Sequence, residues 1–191
     1  MKKFFLFLTI VVCVMASTTV YAAEKIAIGN FNVAAKVDYI QFTNGDLKDA
    51  DVDNGLYVGL EAYGRIVDNL YLGAEVGYAQ PDGKIGTLDS ELTYVPIELN
   101  IKYAIDASPD VIIDIGGGGS YNYGKFKISG NGSADSVDDW LFGGQVFADV
   151  NYKIGAFFIG INGKYQLTED FKDFDFHCSN WRIGGQIGVS F

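Results

Sequence analysis

Apolar and polar residues alternate along most of this chain with a period of two, the spacing that sends successive side chains to opposite faces of a β-strand. Eight such runs are predicted, over residues 26–42, 56–66, 70–80, 93–105, 111–123, 140–154, 156–167 and 180–191. Each is about ten residues or longer, the length a tilted strand needs to cross a bilayer. Helical spacing of 3.6 residues is absent. The connections alternate in length: long at 43–55, 81–92, 124–139 and 168–179, short at 67–69, 106–110 and around Gly155. An up-and-down barrel with both termini on one side of a membrane predicts this asymmetry, and a soluble barrel has no reason for it.

Alternation alone does not say which face points inward, but volume does. One parity gathers bulky groups such as Val37, Leu56, Val76, Ile97, Leu99, Ile115, Phe142, Ile159 and Ile161. An eight-stranded barrel has an interior just wide enough for side chains to fill, so this set fits only outside. The opposite parity is small or polar, with Asn32, Gly73, Gly77, Asn100, Ser120, Asn122, Gln145, Asn162 and Gln186 among its members. It also carries the basic residues Lys36, Arg65, Lys102, Lys153, Lys164 and Arg182 and the acidic residues Asp38, Glu61, Glu75, Glu98, Asp114 and Asp149. Six of each sign predict a charge-neutral, self-paired lumen, because an unpaired buried charge is strongly destabilising. Ile28, Ile112, Phe147 and Phe158 break the pattern. Tyr39, Tyr78, Tyr121, Trp140, Tyr165 and Trp181 stand at the loop-side ends of outward positions, and Tyr103, Tyr152, Phe157 and Phe191 at the turn-side ends. Two aromatic girdles around an aliphatic band mark the two boundaries of a membrane. The expected fold is all-β: one eight-stranded antiparallel up-and-down transmembrane β-barrel.

The amino terminus reads as an export signal rather than as part of that fold. Lys2 and Lys3 precede an apolar stretch from Phe4 to Met15, and Val20-Tyr21-Ala22 offers a cleavage site. Residues 1–22 are expected to be removed, leaving a barrel over 23–191 in the outer membrane of a Gram-negative cell. Loss of the two lysines takes the formal charge from −10 to −12, which argues against a nucleic-acid partner. Cys13 lies in the signal and Cys178 is the only other cysteine, so no intrachain disulfide is expected in the mature chain.

The ending from Trp181 to Phe191, WRIGGQIGVSF, places Trp181, Ile183, Ile187, Val189 and Phe191 on one face up to a terminal aromatic. It resembles the C-terminal signal of outer-membrane barrels, which implies recognition by the barrel-assembly machinery. Residues 68–78, DNLYLGAEVGY, and 94–103, YVPIELNIKY, are similar to the small opacity-protein and OmpA-like barrel family. The resemblance implies surroundings of outer-membrane lipid and lipopolysaccharide, and loops open to an extracellular ligand. The peptidoglycan-binding domain of full-length OmpA-type proteins is not expected, since the chain ends with the eighth run.

Three patterns invite chemistry. Asp49, Asp51 and Asp53 stand at alternate positions as in a calcium loop, but Asn54 replaces the sixth-position glycine and Leu60 the twelfth-position glutamate. With Asp46, and with Glu169, Asp170, Asp173 and Asp175 of the last long connection, they read as solvated acidic loops, and no metal or cofactor is expected. His177-Cys178-Ser179-Asn180 is similar to the active-site run of lipid A deacylase barrels, which implies His177 as base and Ser179 as nucleophile on the lipid-facing parity of Trp181. That family orients its histidine with a later carboxylate, and nothing after Asp175 is acidic, so Glu169 has to serve instead. The charged lumen reads either as a narrow channel for small solutes or as a plugged, rigid core, and eight strands favour the plug. Gly116 to Gly119 opens no helix and is read as relief of crowding rather than as a phosphate cradle. The expected function is a non-enzymatic structural or surface-contact barrel. The alternatives are a lipid A acyl hydrolase using His177 and Ser179, and a small-solute channel.

Overall fold

The computed structural model describes residues 29–130, 133–171 and 176–191. The predicted export signal, the start of the first run with Ile28, and Asp173 and Asp175 lie outside them. The described chain forms β1 (Phe31–Phe42), α1 (Gly45–Asp49), β2 (Asn54–Val67), β3 (Leu70–Ala79), β4 (Asp82–Ile85), β5 (Leu88–Asp106), β6 (Val111–Gly130), β7 (Ser133–Ile154), β8 (Phe157–Thr168) and β9 (Asn180–Ser190). Among the described residues no helix is long and apolar enough to cross a membrane.

Every neighbouring pair is antiparallel. The ring runs β1-β2-β3-β5-β6-β7-β8-β9 and closes where β9 returns to β1, with Val33 opposite Val189 and Tyr39 opposite Ile183. Eight strands therefore make the barrel. Closure pairs the backbone polar groups between neighbours, the condition for a sheet to stand in lipid. The ninth strand, β4, is a short addition that pairs with Leu88–Glu91 of β5 above the barrel.

The structure extends the predicted strands at one end. Residues 124–130 and 133–139, within a segment read as a loop, continue β6 and β7 as a ladder up to Gly130 opposite Ser133, and 88–92 lengthen β5. One turn of helix, α1, occupies the first long connection despite the absence of helical spacing. Asn44 caps it by accepting the Asp46 N–H at 2.8 Å. Two of the three short turns bend through left-handed residues, Asp68 (φ 42°) between β2 and β3 and Gly155 (φ 66°) between β7 and β8.

Inside and outside follow volume, as expected. Val37, Leu56, Ile97, Ile115, Phe142, Ile159, Ile161 and Ile187 are exposed on the outer wall, while Asn32, Asn100, Asn122, Gln145, Asn162 and Gln186 are buried within. At the loop-side girdle Tyr121 stacks on Trp140 (4.7 Å between centroids) and Tyr39 tilts against Trp181 (5.6 Å). The inward aromatics are accommodated by missing side chains nearby. A Cβ on Gly77 would lie 2.0 Å from the Tyr57 hydroxyl, and one on Gly116 would lie 2.4 Å from Phe147 Cζ.

The outer wall yields a direct test. Ile161 sits mid-strand on β8 and is 67 % exposed. Ile161→Arg is expected to destabilise the barrel by about 2–4 kcal/mol, the cost of a cation near the bilayer midplane, in reversible urea unfolding from phospholipid vesicles. An unchanged unfolding midpoint would contradict a lipid-facing position.

Candidate functional site: lumen and outer mouth

Three layers fill the lumen. At the turn-side end Tyr63, Tyr71, Ala104, Ile112 and Phe147 form a small buried cluster. Lys102 lies 4.2 Å over the Tyr63 ring and pairs with Asp114 at 3.0 Å. Arg65 and Lys153 are only half-buried near this rim, and Arg65 donates to the Tyr71 hydroxyl at 3.1 Å.

The middle layer carries the charge network, and strand register explains its form. Glu75 stands opposite both Glu61 and Glu98 across neighbouring strands, and Asp114 stands opposite Asp149. Like charges opposite one another in a sheet repel, so their counter-charges have to arrive from elsewhere. Lys36 on β1 reaches Glu61 at 2.8 Å and Glu75 at 3.3 Å. Lys164 on β8 reaches Glu75 at 2.7 Å and also pairs with Glu98. Arg182 on β9 reaches Glu98 at 2.5 Å and Glu75 at 3.5 Å. In the ring of eight, β8 is diametrically opposite β3, and β9 opposite β5. The Lys164–Glu75 and Arg182–Glu98 pairs therefore cross the whole lumen. Tyr57 donates to Glu75 Oε1 at 2.6 Å, and its ring lies 4.3 Å under the Arg182 guanidinium.

The predicted twelve-residue charge network is enclosed in part. Of the twelve charged positions, Lys36, Lys102, Lys164 and Arg182 are buried with Asp38, Glu61, Glu75, Glu98, Asp114 and Asp149, so four cations face six carboxylates. Arg65 and Lys153 have the right parity but sit too near the strand ends to be enclosed. Asp38 takes a hydrogen bond from Asn162 at 2.9 Å, and neither Asp149 oxygen meets a donor among the described residues.

The outer mouth is closed by an apolar plug that period-two reading misses. Ile40, Phe42, Tyr57, Leu92, Tyr94 and Leu141 point inward at the loop-side ends of the strands. Leu47, Ala50 and Val52 from the first connection and Phe171, Phe176 and Cys178 from the last cover them. Phe171 and Phe176 stack at 4.1 Å, and Phe126 and Val137 of the β6–β7 extension pack against the cluster. Burial in this plug pushes the Cys178 thiol up to about 12. Below the plug Tyr94 donates to Gln166 at 2.7 Å and Gln166 donates to Ser120 at 2.9 Å.

His177 and Ser179 do not form the pair that a nucleophile and base require. Ser179 was expected on the lipid face with Trp181, but β9 begins only at Asn180 and Ser179 is buried. Its Oγ accepts the Thr168 N–H at 3.0 Å, and His177 Nδ1 accepts the Ser179 backbone N–H at 3.2 Å. The Glu169 carboxylate is engaged by the Phe142 N–H at 2.9 Å. No group of three or more His, Cys, Asp or Glu among the described residues is arranged to hold a metal ion. The C-terminal positions Trp181, Ile183, Ile187 and Phe191 are exposed on the outer wall, and Val189 is half-buried there.

Residues 8–186 match the family described as outer membrane protein beta-barrel domain. No curated protein matches. Among solved structures the chain is similar to neisserial surface protein A (TM-score 0.62, 17 % identity, 85 % of this chain and 98 % of that one). It is also similar to OprG from Pseudomonas aeruginosa (0.57, 15 %, 86 % and 97 %) and to Ail, the attachment invasion locus protein of Yersinia pestis (0.54, 14 %, 85 % and 99 %). Ail is also known in complex with the heparin analogue sucrose octasulfate, a structure similar to this chain at TM-score 0.52 and 14 % identity (83 % of this chain and 97 % of that one).

Two measurements test this site. Arg182→Met leaves Glu98 and Glu75 without their partner from β9, and stability is expected to fall by about 3–5 kcal/mol in urea unfolding, the cost of orphaning a buried charge. Cys178 is expected to resist iodoacetamide at pH 8 in the folded barrel and to react fully once unfolded, because a thiol titrating near 12 supplies almost no thiolate there. Rapid labelling of the folded protein would place Cys178 outside the plug.

Proposed function

We propose, from the premise that this chain belongs to the outer membrane β-barrel family and resides in the outer membrane, that it is a non-enzymatic surface barrel whose outer face contacts partners outside the cell. The observation that carries the reading is the division of the molecule into a braced, plugged body and an exposed, charged outer sheet. A lumen crossed by ion pairs and capped by an apolar cluster favours a rigid support over a conduit. The bonding of Ser179 and His177 favours a structural role for both.

The nature of the contact follows from charge. The four long connections carry fourteen carboxylates and five lysines. Ail is known with a polyanion, but a surface of this sign repels polyanions and attracts cationic ligands. The partner class is therefore cationic. The N-terminal segment is removed on export, the C-terminal strand engages the barrel-assembly machinery, and lipopolysaccharide surrounds the outer girdle.

Adherence to an epithelial monolayer tests the reading. Cells displaying the protein are expected to adhere several-fold better than cells displaying a variant with residues 124–139 replaced by a short turn, and added soluble polylysine, which occupies an acidic surface, is expected to compete. Equal adherence of the two would overturn the contact role. The lipid A acyl pattern is expected to be the same with and without the protein, and planar bilayers to stay silent. A shortened acyl pattern or discrete conductance would return the function to the hydrolase or the channel.

A further inference from the structure

The turn-side half of the lumen holds two aspartates that the sheet sets side by side. Asp114 on β6 stands opposite Asp149 on β7, and both are buried inside the barrel. Directly opposed residues of an antiparallel pair bring their Cβ atoms to about 4.5–5.5 Å, close enough for two carboxyl groups to meet. Like charges at that distance resist ionising together. The surroundings of the two are unequal. Asp114 Oδ2 takes Lys102 at 3.0 Å and the Asn151 amide at 3.1 Å. Asp114 Oδ1 and both oxygens of Asp149 meet no donor among the described residues.

The groups that face Asp149 are committed elsewhere. Lys36 on β1 and Lys102 on β5 lie within its field but bind Glu61, Glu75 and Asp114. On β2, Glu61 adds a further like charge, and the buried Tyr63 hydroxyl bonds to neither aspartate. Opposite Asp149 on β8, Asn162 donates to Asp38 at 2.9 Å, and Gln186 on β9 donates to Asn151 at 2.6 Å. Lys153 shares the inward parity of β7 but sits half-buried at the rim. No group of three or more ligating side chains among the described residues is arranged for a metal ion. A carboxylate enclosed with neither counter-charge nor donor is strongly disfavoured, and such a group neutralises itself by taking a proton.

We infer that Asp149 and Asp114 form an acid–carboxylate pair that binds one proton. The proton resides on Asp149, which no cation contacts, and its O–H donates to Asp114 Oδ1, the acceptor that Lys102 and Asn151 leave open. One proton enters and one buried negative charge is lost. With it bound, Lys36 and Lys102 stay with Glu61, Glu75 and Asp114. Once it leaves, the Asp149 carboxylate draws on the same two lysines, so the turn-side brace loosens as pH rises. The pair lies in the body of the barrel, so it stands or falls independently of what the outer loops contact.

Infrared spectroscopy of the full barrel in an ester-free detergent tests the pair. At pH 6, where a solvated aspartate is ionised, the wild type is expected to show one more protonated-carboxyl carbonyl stretch than Asp149→Asn, whose amide stands in for the neutral acid. Asp149→Ser serves as the second variant should the amide fail to fold, judged by heat-shifted gel mobility. Urea unfolding gives a second readout. A fold that holds a proton its unfolded chain has released loses up to tenfold in folding constant per pH unit. The wild-type folding constant, taken relative to that of Asp149→Asn, is therefore expected to fall several-fold between pH 5 and pH 7. Identical carboxyl spectra or parallel pH dependences would overturn the assignment. Wild-type stability that follows sodium concentration at constant ionic strength, with the dependence lost in Asp149→Asn, would give the charge to a metal cation and overturn it as well.

Discussion

Two ion pairs that span the full width of the lumen, Lys164 to Glu75 and Arg182 to Glu98, are the interactions on which the interior depends. Neighbouring strands β2, β3 and β5 place Glu61, Glu75 and Glu98 side by side, and no arrangement within that wall relieves their repulsion. Relief comes from Lys36 on the adjoining β1 and from Lys164 and Arg182 across the barrel, and reaching the last two requires a lumen narrow enough for one side-chain length from each wall. Eight strands supply that width. Fold, charge placement and solidity are thus one constraint. A wider barrel would separate the pairs, and a smaller set of charges would leave a void that the small inward residues do not fill.

The outer wall was legible because two independent signals agree there: period-two alternation gives the faces, and volume says which one faces lipid. What was not legible shows where the rule stops. Tyr57, Leu92, Tyr94 and Leu141 lie on the inward parity yet are large. They are accommodated only because Gly77 makes room beside Tyr57 and because loop residues such as Phe171 and Phe176 fold back to cover the mouth. Such a plug is assembled from distant segments, so no local pattern announces it. Arg65 and Lys153 show the complementary failure. Parity gives direction, but distance from the strand end decides enclosure, and that depends on where the turns fall in three dimensions. The extensions of β6 over 124–130 and of β7 over 133–139 carry the glycines, serines and aspartates typical of a loop, so composition gives no strand signal there. Only Phe126 and Val137 of these extensions pack inward on the plug, and pairing between the two strands holds the rest. Ser179 was placed on the wrong face for a related reason: parity extrapolates only along a strand, and β9 starts one residue later.

Small barrels of this kind separate a membrane-spanning body from a variable outer surface, and fold alone says little about what that surface meets. Here the division is sharp. Apolar packing and ion pairs close the body, while the outer connections carry excess negative charge. Structural neighbours at 14–17 % identity share the architecture. The acidity of the outer connections is a property of this chain, and it directs attention to cationic partners.

The interior depends on the cross-lumen pairs acting as one coupled unit. A double-mutant cycle on Lys164→Met and Glu75→Gln, read by urea unfolding in phospholipid vesicles, measures that coupling. A coupling energy of about 1.5 kcal/mol or more is expected for charges in direct contact away from water. Effects that add to within about 0.3–0.5 kcal/mol, the behaviour of independent sites, would contradict it.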